Sequence, residues 1–167
     1  ATLEGVEWSL NNGTFTPVAK ISPVNLCGTT VKQASLCNLA LIEKERFEIG
    51  CSVVVTKRGE IIPKIEEVYK DAKNGIPIKP PKVCPLCGKD LYINANRTKI
   101  TCENVNCSSN LVGKMNKWID TFGIKELAPV TLTKLLEAGI VDGSISSLYT
   151  MDYSKIEKLE GFGKKSA

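Results

Sequence analysis

The 167-residue chain contains no histidine, and arginine is scarce, with three arginines beside nineteen lysines. Without histidine, a nucleophilic cysteine has no imidazole to activate it, so cysteine-based catalysis is disfavoured. No apolar run approaches the roughly 20 residues of a membrane-spanning helix. The opening residues ATLEGVEWSL also lack the basic start and apolar centre of a signal peptide. We therefore expect an intracellular, cytoplasmic protein with no membrane partner.

The net charge of +4 at pH 7 is small and unevenly spread. Residues 1–78 carry nine basic and nine acidic side chains, residues 79–112 carry five and two, and residues 113–167 carry eight and seven. A polyanion would have to be bound by local groups of lysines and by backbone donors, because no overall positive field attracts it.

From Val18 to Val68 the sequence shows short alternating apolar runs broken by Gly, Pro and Asn, such as those in TPVAKISPVNL and CSVVVTKRGEIIPKIEEVY. Runs of β-branched residues at this spacing predict a small antiparallel β barrel or sandwich. One stretch, NLALIEKERF, has apolar Leu39, Ile42 and Phe47 between charged residues, and we expect either the single helix of this domain or a long loop. The Pro-rich stretch AKNGIPIKPPKV that follows is typical of a linker.

From Leu111 onward the pattern is helical. VTLTKLLEAG has Pro129 near its start and Gly139 at the position of a C-terminal cap, and MDYSKIEKLEG offers Asp152 as an N-cap with Ile156 and Leu159 on one face. The expected fold is multi-domain α+β, with a β domain at residues 1–78, a cysteine-rich segment at 79–112 and a helical segment at 113–167. Because the sequence lacks an initial methionine and stops where a helix is starting, we expect a piece of a longer protein.

Four of the seven cysteines form two pairs in a polar segment. Two residues separate Cys84 from Cys87, four separate Cys102 from Cys107, and fourteen lie between the two pairs. Two such hooks, the first followed by Gly88, can place four thiolates around Zn²⁺ at about 2.3 Å per bond. Four protein ligands leave no position for water, so we expect a structural site whose metal supplies on the order of 10 kcal/mol to folding.

Two alternatives to zinc are a pair of disulfides, which an intracellular protein disfavours, and a redox CxxC, which leaves the second pair unexplained. The remaining cysteines, Cys27, Cys37 and Cys51, are scattered through the β segment, and we predict that they are small buried hydrophobic residues.

Residues 16–65 resemble the OB-fold domain of the bacterial-type NAD-dependent DNA ligases. That domain carries five blocks in a fixed order: TPVA, L-x-G-x-x-V, T/S-L-H-N, I-G-D, and a basic residue followed by x-G-D/E-V/I-I-P. Here they read TPVA, LCGTTV, SLCN, IGCS and KRGEIIP, at residues 16–19, 26–31, 35–38, 49–52 and 57–63. The family follows this domain with a four-cysteine zinc finger and helix-hairpin-helix repeats, so the resemblance extends over essentially the whole chain.

The resemblance implies that the chain is the DNA-clamping portion of an enzyme that seals nicks in duplex DNA during replication and repair. In that family an upstream adenylation domain carries a lysine nucleophile in a KxDG motif and uses NAD⁺ and Mg²⁺. No KxDG occurs here, so we expect no catalytic or cofactor-binding residue and no activity from this segment alone. The implied partners are the adenylation domain of the same chain and nicked duplex DNA, at a bacterial nucleoid or viral replication site, bound by a monomer.

The stretch VVVTKRGEIIPKI is the first candidate DNA contact. Lys57, Arg58 and Lys64 flank a glycine turn that carries Ile61 and Ile62. One interpretation is an ordinary hairpin with core isoleucines. The resemblance implies instead a loop that presses the minor groove beside the nick, with the basic residues on phosphates.

The stretch LEGFGKKSA is the second candidate, because its apolar-x-Gly-apolar-Gly form is that of the hairpin in a helix-hairpin-helix. Gly161 and Gly163 would permit a tight turn, and the N–H groups of the next helix, with Lys164 and Lys165, would receive a phosphate. A packing corner between two helices is the alternative interpretation.

Three positions depart from the family pattern. An earlier hairpin is expected at FGIKELAP, but Glu126 and Ala128 occupy the places of glycines, and a carboxylate there would repel phosphate. We expect that hairpin to be structural. Residues 11–14, NNGT, replace a Gly-Arg-Thr-Gly that precedes the first barrel strand, and Cys37 stands where histidine is usual. These departures indicate a divergent member.

A hypothesis from a different class is a stand-alone zinc and helix-hairpin-helix DNA-binding module without catalytic activity. A further one is a zinc module that binds protein and carries an unrelated β barrel. Binding to nicked duplex that falls steeply with salt would exclude the last of these.

Overall fold

A computed structural model describes residues 1–26, 28–58, 62–69, 71–72, 74–125 and 127–163, with only the backbone at residues 58 and 62. The chain divides into two compact units. The first contains Ala1–Cys84 and Lys89–Cys102, and the second contains Pro85–Gly88 and the chain from Glu103 onward. The sequence pattern divides the chain into three segments, with boundaries after residues 78 and 112. These boundaries follow the order of the motifs and stay a prediction.

The first unit is built on a seven-stranded sheet and one small two-stranded sheet. The large sheet has the order β5-β6-β3-β2-β9-β8, and β1 pairs with β2. Its strands are β1 (Leu3–Asn11), β2 (Thr14–Leu26), β3 (Thr29–Ser35), β5 (Ser52–Arg58), β6 (Ile62–Tyr69), β8 (Tyr92–Ile93) and β9 (Ile100–Thr101). The small sheet pairs β4 (Glu48–Ile49) with β7 (Ile76–Pro77).

The first hairpin corrects the placement of residues 11–14. They were expected ahead of the first barrel strand, but Asn12 and Gly13 form the turn between β1 and β2, with φ of +48° and +72°. An Asn-Gly pair with both φ angles positive is the favoured two-residue hairpin turn, because its twist matches that of the strands. The sequence pattern predicts strands only from Val18 onward, so β1 is a strand that it missed.

The sheet is not wholly antiparallel, because β3 pairs with β6 in parallel through Ser35 and Lys64. The start of β1 meets the start of β5 through an isolated bridge between Thr2 and Ser52 and through the N–H of Leu3, which donates to the carbonyl of Cys51 at 2.9 Å. Over the described residues these contacts bring the outer strands together, but the strand ladders do not form a closed ring. The predicted β barrel is therefore confirmed only in part, because its strands are present but no ladder in the described part of the chain closes them into a ring.

The core of the first unit follows the two-residue period of β2. Phe15, Pro17, Ala19 and Ile21 are buried, while the residues between them are more exposed. Successive side chains of a strand point to opposite faces, so one face of β2 is committed to the core. Ten buried residues form this core: Leu3, Ala19, Ile21, Val31, Ala34, Leu36, Ile42, Phe47, Val53 and Ile65.

The stretch predicted as a helix or a loop is the helix α1 (Leu39–Glu45). It begins at Asn38, whose side-chain oxygen accepts a hydrogen bond from the N–H of Leu41 at 2.9 Å. This N-cap satisfies one of the N–H groups that a helix start leaves unpaired. Leu39, Ile42 and Phe47 are all buried.

The second unit is helical, with α2 (Ser108–Thr121), α3 (Pro129–Glu137), a 3₁₀ turn (Ser146–Leu148) and α4 (Tyr153–Ile156). Pro129 occupies the first turn of α3, and Gly139 follows its C-terminal cap with φ of +67°. Asp152 is the N-cap of α4, where its carboxylate accepts from the N–H of Ser154 at 3.0 Å. These three predictions are confirmed.

The core of the second unit brings together side chains spaced at helical intervals. It consists of Val112, Met115, Ile119, Leu132, Leu135, Val141 and Ile156. Leu159 and Phe162 pack against this cluster, so the chain after α4 stays attached to it. Among the described helices, none has the length and hydropathy that crossing a membrane requires.

Candidate functional site

Four cysteine sulfurs converge in one place. The Sγ atoms of Cys84, Cys87, Cys102 and Cys107 all lie within 4.8 Å of one another. Four sulfurs arranged as a tetrahedron around one ion at 2.3 Å would be about 3.8 Å apart. The four side chains are therefore close enough to bind a single metal ion, as the spacing predicted.

Short turns hold these sulfurs. The N–H of Cys84 donates to the carbonyl of Lys89 at 2.8 Å, and Gly88 between them has φ of +68°. Cys102 directly follows β9, and its N–H donates to the carbonyl of Gly13 at 2.7 Å. Both bonds fix backbone next to a ligand, so the positions of the sulfurs depend on the local fold.

Cys107 is the N-cap of α2. The unpaired N–H groups at a helix start carry partial positive charge and stabilise negative charge on a nearby thiolate. Asn104 shapes the turn before it, since its carbonyl accepts from the N–H of Cys107 at 2.9 Å and from the side-chain amide of Asn110 at 2.9 Å. The donor set favours a soft or borderline cation such as Zn²⁺.

Burial separates the cluster from solvent. Cys84, Cys102 and Cys107 are each less than 5% exposed, and Cys87 is half-buried. Cys51 is buried in the first unit as predicted, whereas Cys37 is only half-buried and has φ of +61°. Cys27 lies outside the described residues.

The candidate loop between β5 and β6 is only partly described. Arg58 and Ile62 are paired at its base, which confirms the hairpin, but Ile61 and the side chains of Arg58 and Ile62 lie outside the description. Lys57 is half-buried, and its Nζ donates to the carbonyl of Leu26 at 3.1 Å. Lys57 thus ties the end of β5 to the end of β2.

An open groove of about 720 Å³ adjoins this hairpin on the first unit. Lys20, Lys32 and Lys57 line it together with one carboxylate, Glu4. Lys20 is paired with Glu7, whose Oε2 lies 3.1 Å from its Nζ. Lys64 pairs with Ser35 on the neighbouring strand and is half-buried. Positive charge therefore exceeds negative charge along this face.

The glycine turn after α4 is well defined up to residue 163. Gly161 has φ of +87°, a conformation that favours glycine, and the N–H of Phe162 donates to the carbonyl of Leu159 at 3.0 Å. Gly163 has no positive φ, and a methyl group there would meet open space. Lys164 and Lys165 lie outside the described residues.

The altered hairpin between α2 and α3 exposes several apolar side chains beside one basic residue, Lys125. Ala128 is the N-cap of α3 and makes no side-chain hydrogen bond there, while Glu126 lies outside the described residues. Phe122, Ile124 and Val130 are exposed around it. None of these features is typical of a phosphate site.

Comparison with known proteins identifies the β unit. A family model described as the NAD-dependent DNA ligase OB-fold domain matches residues 1–76. The DNA ligase of Treponema denticola is 40% identical over 165 residues, which is 99% of this chain and 25% of that protein.

Residues 1–76 belong to the OB-fold domain family of the NAD-dependent DNA ligases.

Other members of the ligase family match at similar levels. The DNA ligase of Aquifex aeolicus is 37% identical over 159 residues, covering 93% of this chain and 22% of that protein. The DNA ligase of Treponema pallidum is 35% identical over 166 residues, covering 99% of this chain and 20% of that protein. The chain therefore spans about a quarter of the length of the curated ligases it matches.

Two groups of candidate functional lysines were not predicted from the sequence, namely Lys20 and Lys32 of the groove, and Lys134. Lys20 and Lys32 lie on β2 and β3, far in sequence from Lys57, and only the sheet brings all three to one groove. Lys134 on α3 reaches the glycine turn 26 residues later, where its Nζ donates to the carbonyl of Glu160 at 3.2 Å. No local pattern indicates either grouping, because both depend on pairing between distant segments.

Proposed function

We propose that the chain is the DNA-clamping portion of an NAD-dependent DNA ligase, which binds nicked duplex DNA while the adenylation domain of the same protein seals the nick. The observation that carries this proposal is the combination, in one chain aligned over 99% of its length with a DNA ligase, of the ligase OB-fold domain and a four-sulfur cluster. In this proposal the chain contacts the phosphates of the DNA backbone and not the base edges. Such contacts do not depend on sequence, so they suit an enzyme that seals nicks of any sequence.

In this proposal the OB-fold domain, residues 1–78, contacts the minor groove. Ile61 and Ile62 press the groove beside the nick, and Arg58 and Lys64 contact phosphates. The bond from Lys57 to Leu26 supports a positioning role for that lysine in addition to its charge. The groove lined by Lys20 and Lys32 extends the same basic face.

The helical segment, residues 113–167, contributes a helix-hairpin-helix. The turn at Gly161 is preformed, since Phe162 and Leu159 pack on the helical core. Gly161 and Gly163 let a phosphate approach the backbone, and Lys164 and Lys165 add charge at the start of the following helix. The hairpin altered at Glu126 and Ala128 is structural.

The cysteine cluster, within residues 79–112, binds one structural Zn²⁺. The sulfur separations and the burial of three ligands support this assignment. A closed set of four thiolates leaves no coordination position for a reacting water. The ion orders a polar segment that buries too little surface to fold alone.

Covalent chemistry lies elsewhere in the protein. The chain holds no KxDG, so NAD⁺, Mg²⁺ and the nucleophilic lysine belong to the adenylation domain, and this segment alone is inactive. The protein works as a monomer at sites of replication and repair. A stand-alone module without catalytic activity is the alternative, and it makes a different experimental prediction.

The test is a hybrid enzyme. The matching segment of the Treponema denticola ligase is replaced by this chain, and NAD-dependent sealing of a nicked duplex is measured. We expect sealing, and we expect none from the 167-residue chain alone. A hybrid that folds and adenylates its lysine but cannot bind or seal a nick would contradict the proposal and favour the stand-alone module.

A further inference from the structure

Lys134 places an ammonium group beside the glycine turn at residues 159–163. Its Nζ donates to the carbonyl of Glu160 at 3.2 Å and lies 5.8 Å from the centre of the Phe162 ring. A methyl group built on Gly161 would be 3.6 Å from the same nitrogen. The ammonium therefore stands over the part of the turn that glycine leaves open.

We propose that Lys134 is a phosphate-binding residue of this turn, where it holds the Glu160 carbonyl and supplies the nearest positive charge to Gly161. The inference rests on the proposed function and adds to it a residue from α3. It assigns to one site a backbone turn and a cation that are separated by 26 residues in the sequence.

The charge of Lys134 supports this role. Within the described part of the chain, Lys134 forms no ion pair, so no carboxylate neutralises its ammonium group. An ammonium has three N–H donors, and the Glu160 carbonyl uses one of them. Two donors are left for a phosphate oxygen on the exposed side of the turn.

The backbone beside Lys134 is also suited to an anion. Over the described residues, the N–H of Gly161 has no hydrogen-bond partner. A donor of this kind next to an uncompensated cation forms a concave anion site of the type seen at glycine turns. The cation–π contact with Phe162, at 5.8 Å from the ring centre, helps to keep the exposed ammonium group over the turn.

A purely structural role is the competing interpretation. Lys134 lies in the last turn of α3, where a cation is stabilised by the helix dipole and can bond to nearby carbonyls without any ligand. A structural lysine would change the stability of the turn. A phosphate-binding lysine would in addition change the number of counterions released when DNA binds.

The experiment measures binding of the 167-residue chain to a nicked duplex between 50 and 200 mM NaCl for the wild type, Lys134→Met, Lys134→Arg and the control Lys117→Met. Lys117 is an exposed lysine of α2 in the same unit. Because affinity varies as salt concentration to the power of about −0.9 per phosphate contact, losing one contact weakens binding roughly eightfold at 0.1 M salt. We expect that loss for Lys134→Met, together with a salt slope smaller by about 0.9, and restoration of the slope in Lys134→Arg.

Unchanged affinity in Lys134→Met would overturn the inference. Weaker binding of Lys134→Met with an unchanged salt slope would also overturn the inference, because that result indicates a structural role for Lys134. Thermal unfolding of each variant identifies that case. A wild-type chain that does not bind nicked duplex even at 50 mM NaCl would reject the proposed function and this inference with it. Salt-dependent wild-type binding combined with no effect at Lys134 rejects the inference alone.

Discussion

Arg97 and Glu43 form a two-pronged ion pair although they are 54 residues apart. The Nε of Arg97 lies 2.6 Å from Oε2 of Glu43, and a terminal guanidinium nitrogen lies 2.6 Å from Oε1. The carbonyl of Arg97 also accepts the N–H of Ala40 at 2.8 Å. The turn between β8 and β9 thus caps the start of α1 and clamps its outer face.

Replacing Arg97 with methionine should lower the stability of the first unit at neutral pH. The hydrogen bonds and charge of Arg97 lower the pKa of Glu43, so the stabilisation is present above the ordinary pKa of a glutamate and is lost as pH falls through the lowered value. The effect should be modest, because both side chains are nearly half exposed. Thermal unfolding from pH 7 downward should show the wild type and Arg97→Met converging in acid.

An NMR titration gives a more direct measurement. The pKa of the Glu43 carboxyl should rise toward its ordinary value in Arg97→Met and should not change in Lys99→Met, a control in the same turn. Arg97→Lys should restore only part of the shift, since an ammonium cannot make the two-pronged contact. An unaltered Glu43 titration in Arg97→Met would show that the pair does not form in solution.

Local signals in the sequence predicted local structure well. The Asp152 cap, the end of α3 at Gly139 and the alternation along β2 each depend on residues within one or two turns. The cysteine spacing predicted the sulfur cluster because ligands on two tight turns have few other arrangements.

Long-range pairings could not be predicted in the same way. The Arg97–Glu43 pair, the parallel pairing of Ser35 with Lys64 and the reach of Lys134 to Glu160 each join segments far apart in the chain. Their geometry depends on how whole strands and helices pack, which the identity of a single residue does not encode. The same reason explains why the groove lysines were missed while Lys57 was found.

Changing Cys102 to serine should abolish metal binding. Serine oxygen is a poor replacement for a thiolate ligand. Zinc binding supplies on the order of 10 kcal/mol to folding, and a site with only three sulfurs loses much of that free energy. Cys37→Ser is the control, because Cys37 is a half-buried cysteine of the same chain that lies outside the cluster. Metal analysis should find one zinc per chain in the wild type and the control. Retained zinc in Cys102→Ser would reject this ligand set.

Alanine substitutions at Gly161 and Gly163 should separate stability from DNA binding. Gly161→Ala should cost about 1–2 kcal/mol, because its φ of +87° is unfavourable for a residue with a Cβ. Gly163→Ala should leave unfolding nearly unchanged, since the methyl group meets open space, yet it should weaken binding to nicked duplex by obstructing a phosphate. Fluorescence anisotropy with a nicked duplex tests both. Unchanged affinity in both variants would remove this turn from the DNA site.

A second pair of glycines tests the packing of the helical unit. Gly139 and Gly143 both have positive φ, +67° and +89°. A methyl group on Gly139 would meet open space, whereas one on Gly143 would lie 2.8 Å from both Cδ atoms of Leu111. Both alanine variants should lose roughly 1–2 kcal/mol to backbone strain. Gly143→Ala should lose about 1–3 kcal/mol more, because Leu111, whose Cβ would also lie 3.0 Å away, must shift to relieve the overlap. Urea unfolding gives both values, and equal losses would mean that Leu111 moves aside freely and that this contact does not hold α2 in place.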